Sequence, residues 1–135
     1  MNAPSFLAAS LYVAVGGAVG AWLRYLTALA WSRAIGPVAA AAYPWATLSI
    51  NAVGSLLMGV LTGWLLRHGH QGEGWRLLLG VGVLGGFTTF SAFSLDLVQM
   101  IERGQLGAAL LYSAASLVLG VAALFAGLAL VPVAA

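Results

Sequence analysis

The sequence predicts an all-α integral membrane protein with four transmembrane helices, the third broken mid-membrane, and composition, span length and glycine usage predict it together. Of its 135 residues 62% are hydrophobic and 6% charged, against an apolar share of roughly 45–50% in an average soluble domain. The mean hydropathy is +1.03. Four apolar runs each reach the roughly 20 residues that a bilayer core of about 30 Å requires. Eighteen glycines among so many Leu, Ala and Val residues suit membrane helices, where small residues let backbones approach closely.

The first run spans Phe6 to Trp31, after a short tail without side-chain positive charge or cleavage signal, so a retained helix is expected. A connection over Arg33 to Tyr43 with Gly36-Pro37 leads to the second run, Pro44 to Leu66, where Pro44 suits a first helical turn. The Arg67 to Gly74 loop holds both histidines, His68 and His70, a weak metal pair with no other ligand nearby. The third run is Trp75 to Met100, with its break at about residues 85–89; a turn over Ile101 to Gln105 precedes the fourth, Leu106 to Pro132. Trp31, Trp45, Trp64 and Trp75 fall where interfacial aromatics belong. The chain reads as one domain, residues 1–135.

Arg24, Arg33, Arg67, Arg76 and Arg103 are scattered singly, so the net charge of +2 forms no basic patch and nucleic acid is not an expected partner. Cysteine is absent, which removes disulfide and thiolate-metal chemistry. Across four spans the loop arginines divide two against two, leaving orientation hardly specified. Single weak topology and dual topology both remain open on this rule; dual topology implies an antiparallel dimer. Gly16 and Gly20, Ser55, Gly59 and Gly63, and Gly82 and Gly86 form small-residue stripes suited to packing within or between copies.

The most unusual stretch is Gly85-Gly86-Phe87-Thr88-Thr89-Phe90-Ser91-Ala92-Phe93-Ser94. Paired glycines and β-branched threonines weaken a helix, and a hydroxyl can cap its restart. Irregular backbone at membrane depth is tolerated where it is buried in protein or lines a cavity, and freed carbonyls there can hold Na⁺. Phe90 and Phe93, three apart, suit lipid contact or core; turned edge-on into a pathway, their positive rims favour an anion. Asn51 needs hydrogen-bond partners in its span, either between helices or at an anion. Tyr112, Ser116 and Gly120 lie four apart on one face, a candidate polar track or a set of self-satisfied hydroxyls. Arg24 is expected to snorkel to an interface, with attraction of anions to an entrance as the alternative. Asp96, the only carboxylate within a span, reads as a helix-end residue wetted by a vestibule.

Along essentially its whole length the chain resembles the Fluc/CrcB fluoride channel family. The resemblance is carried by Gly16-Gly17-Ala18-Val19-Gly20-Ala21 with Arg24-Tyr25, by Asn51 with Gly54 and Gly59, and by Gly85 through Phe93 in that order and spacing. It implies a fluoride channel of the bacterial inner membrane, passively exporting a toxic ion. The implied assembly is an antiparallel homodimer with two pores and a central Na⁺ on the backbone carbonyls of Gly85 and Thr88. It further implies ring edges from Phe90 and Phe93, a pore role for Asn51, flanking hydroxyls from Thr89 and Ser91, and a track at Tyr112 and Ser116, with Arg24 and Asp96 at the vestibule. Two departures stand out: Asp96 occupies a place where Glu is expected in many relatives, and Gly120 one where a further hydroxyl can occur. A proton-coupled exporter of small cations is the chief rival, but it needs a carboxylate in the first span, which has none. A scaffold subunit would explain the glycine stripes and not the break. Enzymatic function has least support, for no phosphate loop or Ser/His/Asp arrangement is present.

Overall fold

A computed structural model describes residues 4–68 and 72–131. Helix α1, Phe6–Ile35, starts at Ser5, whose Oγ accepts the Ala8 N–H at 3.3 Å. It ends at Gly36, whose φ of +82° lies in the left-handed region that favours glycine. Pro37 then opens a short helix α2, Pro37–Ala42. The expected connection is therefore largely helical: Arg33 lies in the last turn of α1, and the alanine run, with the best intrinsic helix propensity, winds up as α2. Helix α3 covers Trp45–His68.

Helix α4 (73–87) comprises an α turn Glu73–Trp75, a π-helical stretch Arg76–Leu84 and an α turn Gly85–Phe87. In the wider winding the Gly85 N–H reaches the Gly80 carbonyl, five residues back. The sequence signalled no such winding; π turns are rare and cluster at functional sites. Helices α5, Phe90–Glu102, and α6, Leu106–Leu130, follow, joined by a turn in which Gly104 has φ +73°. Among the described residues four segments are long and apolar enough to cross a membrane: Phe6–Ile35, Trp45–Arg67, Glu73–Glu102 and Leu106–Leu130. His70, the His68 side chain and Pro132 lie outside what is described.

Glycine decides how the helices meet. A Cβ added at Gly16 would stand 2.9 Å from the Gly82 Cα, and one at Gly86 would stand 3.0 Å from the Gly17 Cα, so α1 and α4 touch backbone to backbone. On the other side of the bundle, a Cβ at Gly59 would come within 3.0 Å of the Gly127 Cα, and one at Gly127 would press on the Leu56 carbonyl. The stripes Gly16/Gly20, Gly59/Gly63 and Gly82/Gly86 are thus used within one copy. Each glycine costs about 1 kcal/mol of helix propensity relative to alanine, and close van der Waals contact offsets it.

The two helix pairs are tied at one end by the Trp31 indole, which donates to Ser49 Oγ at 2.9 Å and lies 6.1 Å from the Trp45 ring. Arg103 Nη1 caps the Ala41 carbonyl at 3.2 Å at that same end. The buried core is small: Ile50, Leu61, Leu84, Met100, Ala109 and Tyr112. Leu110, Leu117, Val118 and Phe125 of α6 face outward, as suits helices whose solvent is hydrocarbon. Gly127→Val should overpack the α3–α6 contact by about 1–3 kcal/mol. It should lower the thermal unfolding midpoint followed by tryptophan fluorescence in detergent, whereas an unchanged midpoint would mean the backbones do not approach so closely.

Candidate functional site

The helical path from α4 to α5 is interrupted at two residues, Thr88 (φ −74°, ψ 159°) and Thr89 (φ −153°, ψ 125°), narrower than the expected 85–89. Gly85 and Gly86 remain helical; the threonines make the break. Thr88 closes the end of α4 by sending both its N–H and its Oγ1 proton to the Leu84 carbonyl, at 3.0 and 2.9 Å. Thr89 opens α5 by accepting the Ala92 N–H on its Oγ1 at 3.2 Å, a side-chain N-cap.

An extended step leaves peptide groups that no helix satisfies, and neighbouring helices supply the partners. Asn51 of α3 faces the Thr89 peptide groups edge-on: its Nδ2 donates to the Thr89 carbonyl at 3.0 Å and its Oδ1 accepts the Thr89 N–H at 2.9 Å. The amide thus imitates a neighbouring β-strand. From α1, Arg24 Nη1 points at the Thr88 carbonyl at 3.4 Å. Arg24 thus reaches toward the break, where a freed carbonyl offers it a partner within the protein.

Beside the break lies an open groove of about 560 Å³. Asn51, Gly54, Ser55 and Met58 line it from α3, Gly85, Thr88 and Thr89 from the break, and Phe90 and Phe93 from α5; α6 adds Ser113, Ser116, Leu117, Gly120 and Leu124. The Phe90 and Phe93 rings lie 5.8 Å apart with planes tilted by 38°. Phe93 leans on Tyr112 at 5.2 Å, and Tyr112 on Tyr43 at 5.8 Å with planes 75° apart, so rings from α5, α6 and the α2–α3 link fix one another. Phe90 is 79% exposed on the single copy.

Which hydroxyls can donate into the groove depends on where their protons already go. Ser94 and Ser113 donate to the carbonyls of Phe90 and Ala109, four residues back, at 3.0 and 2.8 Å. Thr88 is spent on Leu84, and Thr89 Oγ1 lies 3.2 Å from Ser91 Oγ. Tyr112, fully buried, donates to Asp96 Oδ2 at 3.2 Å. Ser116 differs: among the described residues its Oγ is buried and has no hydrogen-bond partner. Asn51 commits one of the two Nδ2 protons it carries.

The groove gathers Asn51, Thr88, Thr89, Phe90, Phe93, Ser116 and Gly85 of the residues singled out in the sequence. Ser91, Tyr112, Asp96 and Arg24 do not line it. Tyr112 and Asp96 bond to each other behind Phe93, so Asp96 is a partner of a buried phenol rather than simply a wetted helix end. Ser55 and Ser113 line the groove without having been singled out as site residues. Helical registry offered a signal, since Ser55 follows Asn51 by four and Ser113 precedes Ser116 by three.

Residues 11–128 match the family described as CrcB-like protein, Camphor Resistance (CrcB). The chain is 54% identical over 124 residues to the fluoride-specific ion channel FluC of Novosphingobium aromaticivorans, covering 92% of this chain and 96% of that one. It is 55% identical over 126 residues to the fluoride-specific ion channel FluC of Erythrobacter litoralis, 92% of each. With the protein of that name from Caulobacter vibrioides strain NA1000 it shares 52% over 119 residues, 87% of this chain and 91% of the other.

Asn51→Ala leaves both peptide groups of Thr89 without their partner, at a cost on the order of 2 kcal/mol. The purified variant should unfold at a distinctly lower temperature than the wild type. An unchanged midpoint would mean that the Asn51 amide is dispensable to the break.

Proposed function

The chain belongs to the CrcB-like family, and from that membership we propose that it is a fluoride-selective channel of the bacterial inner membrane, carrying fluoride out passively and protecting the cell from it. The observation that carries the reading is the conjunction at one groove of the Thr88–Thr89 break, the tilted Phe90 and Phe93 rings and the uncommitted Ser116 hydroxyl. Fluoride is small and tightly hydrated, so a pathway must replace water with donors weak enough to release it. Ring edges carry a partial positive charge without a full cation, and O–H and N–H groups supply the remaining contacts. Asn51 offers its second Nδ2 proton while the first holds the break in shape. The Tyr112 ring, held at its hydroxyl by Asp96, positions Phe93 beside the groove.

The groove is open on one side and Phe90 is largely exposed beside it, so one copy does not enclose a path. A second copy inserted the opposite way would close it, and the even loop-arginine division allows both insertions. In that antiparallel dimer the break lies mid-membrane, where its peptide groups must be satisfied by protein or ion. A structural Na⁺ fits this arrangement. The helical partner of the Gly85 carbonyl is the Thr89 N–H, which donates to Asn51 instead, leaving that oxygen available. The Thr88 carbonyl holds only a long contact with Arg24 at 3.4 Å. These carbonyls from both copies would hold the cation and neutralise the converging carbonyl dipoles.

Reconstituted in liposomes, the protein should discharge a fluoride gradient and leave a chloride gradient standing, as followed with ion-selective electrodes. Comparable chloride flux, or no fluoride flux from folded protein, would overturn the assignment. Phe90→Ile and Phe93→Ile should each slow fluoride efflux by about tenfold or more, equivalent to roughly 1.4 kcal/mol in the barrier, without dissociating the dimer. Undiminished flux in both would reduce the rings to packing.

A further inference from the structure

The groove continues beyond the rings to Gly120, and its walls there carry two hydroxyls from different helices. Ser116 of α6 has a buried Oγ with no partner among the described residues. Ser55 of α3 faces the bare backbone of Gly120: a Cβ placed there would stand 3.6 Å from Ser55 Oγ, with no other atom of a neighbouring element within 4 Å. A serine inside a helix ordinarily turns its proton to the carbonyl four residues back, as Ser94 and Ser113 do. Among the described residues Ser55 makes no such bond to Asn51.

From this we infer that Ser55 is a further pore-lining donor, forming with Ser116 an anion subsite at the Gly120 end of the groove. The inference rests on the fluoride-channel reading and adds to it a place where the ion pauses away from the rings. Gly120 supplies the room, since no side chain fills the place where the spacing Tyr112, Ser116, Gly120 would otherwise continue on one face. Ser55 supplies from the opposite wall the hydroxyl that α6 lacks at that turn. Two O–H donors lining one groove from different helices can take over from lost hydration water, and neither carries a charge that would trap the ion. The Ser55 proton is uncommitted among the described residues, so no internal hydrogen bond has to break for it to turn toward the ion.

Relocating the hydroxyl tests this. Fluoride efflux from liposomes is compared for the wild type, Ser55→Ala, and the double variant Ser55→Ala with Gly120→Ser, after size-exclusion chromatography shows equal elution. Ser55→Ala should slow efflux about tenfold, the scale of one lost hydrogen bond to a charged group. Gly120→Ser should restore most of that loss, because it returns a hydroxyl to the same space from the other wall. Full flux in Ser55→Ala, or a slow channel that Gly120→Ser does not rescue, would overturn the subsite while leaving the channel reading intact. A wild type that moves no fluoride would overturn both. Should Ser55→Ala not elute as the wild type does, Ser55→Val replaces it in both arms, with the same outcomes read.

Discussion

The bond pair between the Asn51 amide and the Thr89 peptide groups is the contact on which the site depends. A helix interrupted among apolar neighbours exposes N–H and C=O groups that cost free energy unless paired. Three parts of the chain supply the pairing, with Asn51 reaching from α3, Arg24 from α1, and the threonines closing on themselves through their own hydroxyls. The break is therefore held by side chains from distant parts of the chain, and it keeps one shape because each partner has one geometry.

That stable break sets the direction of α5 and hence of its rings. Phe90 and Phe93 sit in the first turn after the Thr89 cap, and Phe93 is clamped by Tyr112, itself fixed at its hydroxyl by Asp96 and at its ring by Tyr43. A ring free to turn would present its negative face as often as its positive rim. The stack of aromatic neighbours restricts that choice, and an electrostatic role for the rims requires the restriction.

The distribution of hydroxyl protons divides the polar side chains into two groups. Thr88, Ser94 and Ser113 look inward to their own helices and serve the backbone. Ser116 does not, and its buried oxygen lacks a partner among the described residues. Composition treats these residues as equivalent. Their positions relative to the groove and to carbonyls one turn back make them different.

Much of this was legible in the sequence because the bilayer imposes length: roughly 20 apolar residues per span leave few ways to divide the chain. The four spans follow from that constraint, and the break was announced by glycine and threonine beside one another in the third. Periodicity also marked the small-residue stripes, but a stripe does not name its partner, and only the folded chain paired Gly16 with Gly82 and Gly59 with Gly127. The π winding of 76–84 and the helix Pro37–Ala42 escaped because both depend on packing and local hydrogen-bond choice rather than on hydropathy. The sequence by itself determined the class, the spans and the chemical types at the site. Tertiary structure alone decided that Asn51 braces Thr89, that Arg24 turns inward and that Ser55 faces Gly120, since each joins residues tens of positions apart whose meeting depends on how the helices pack.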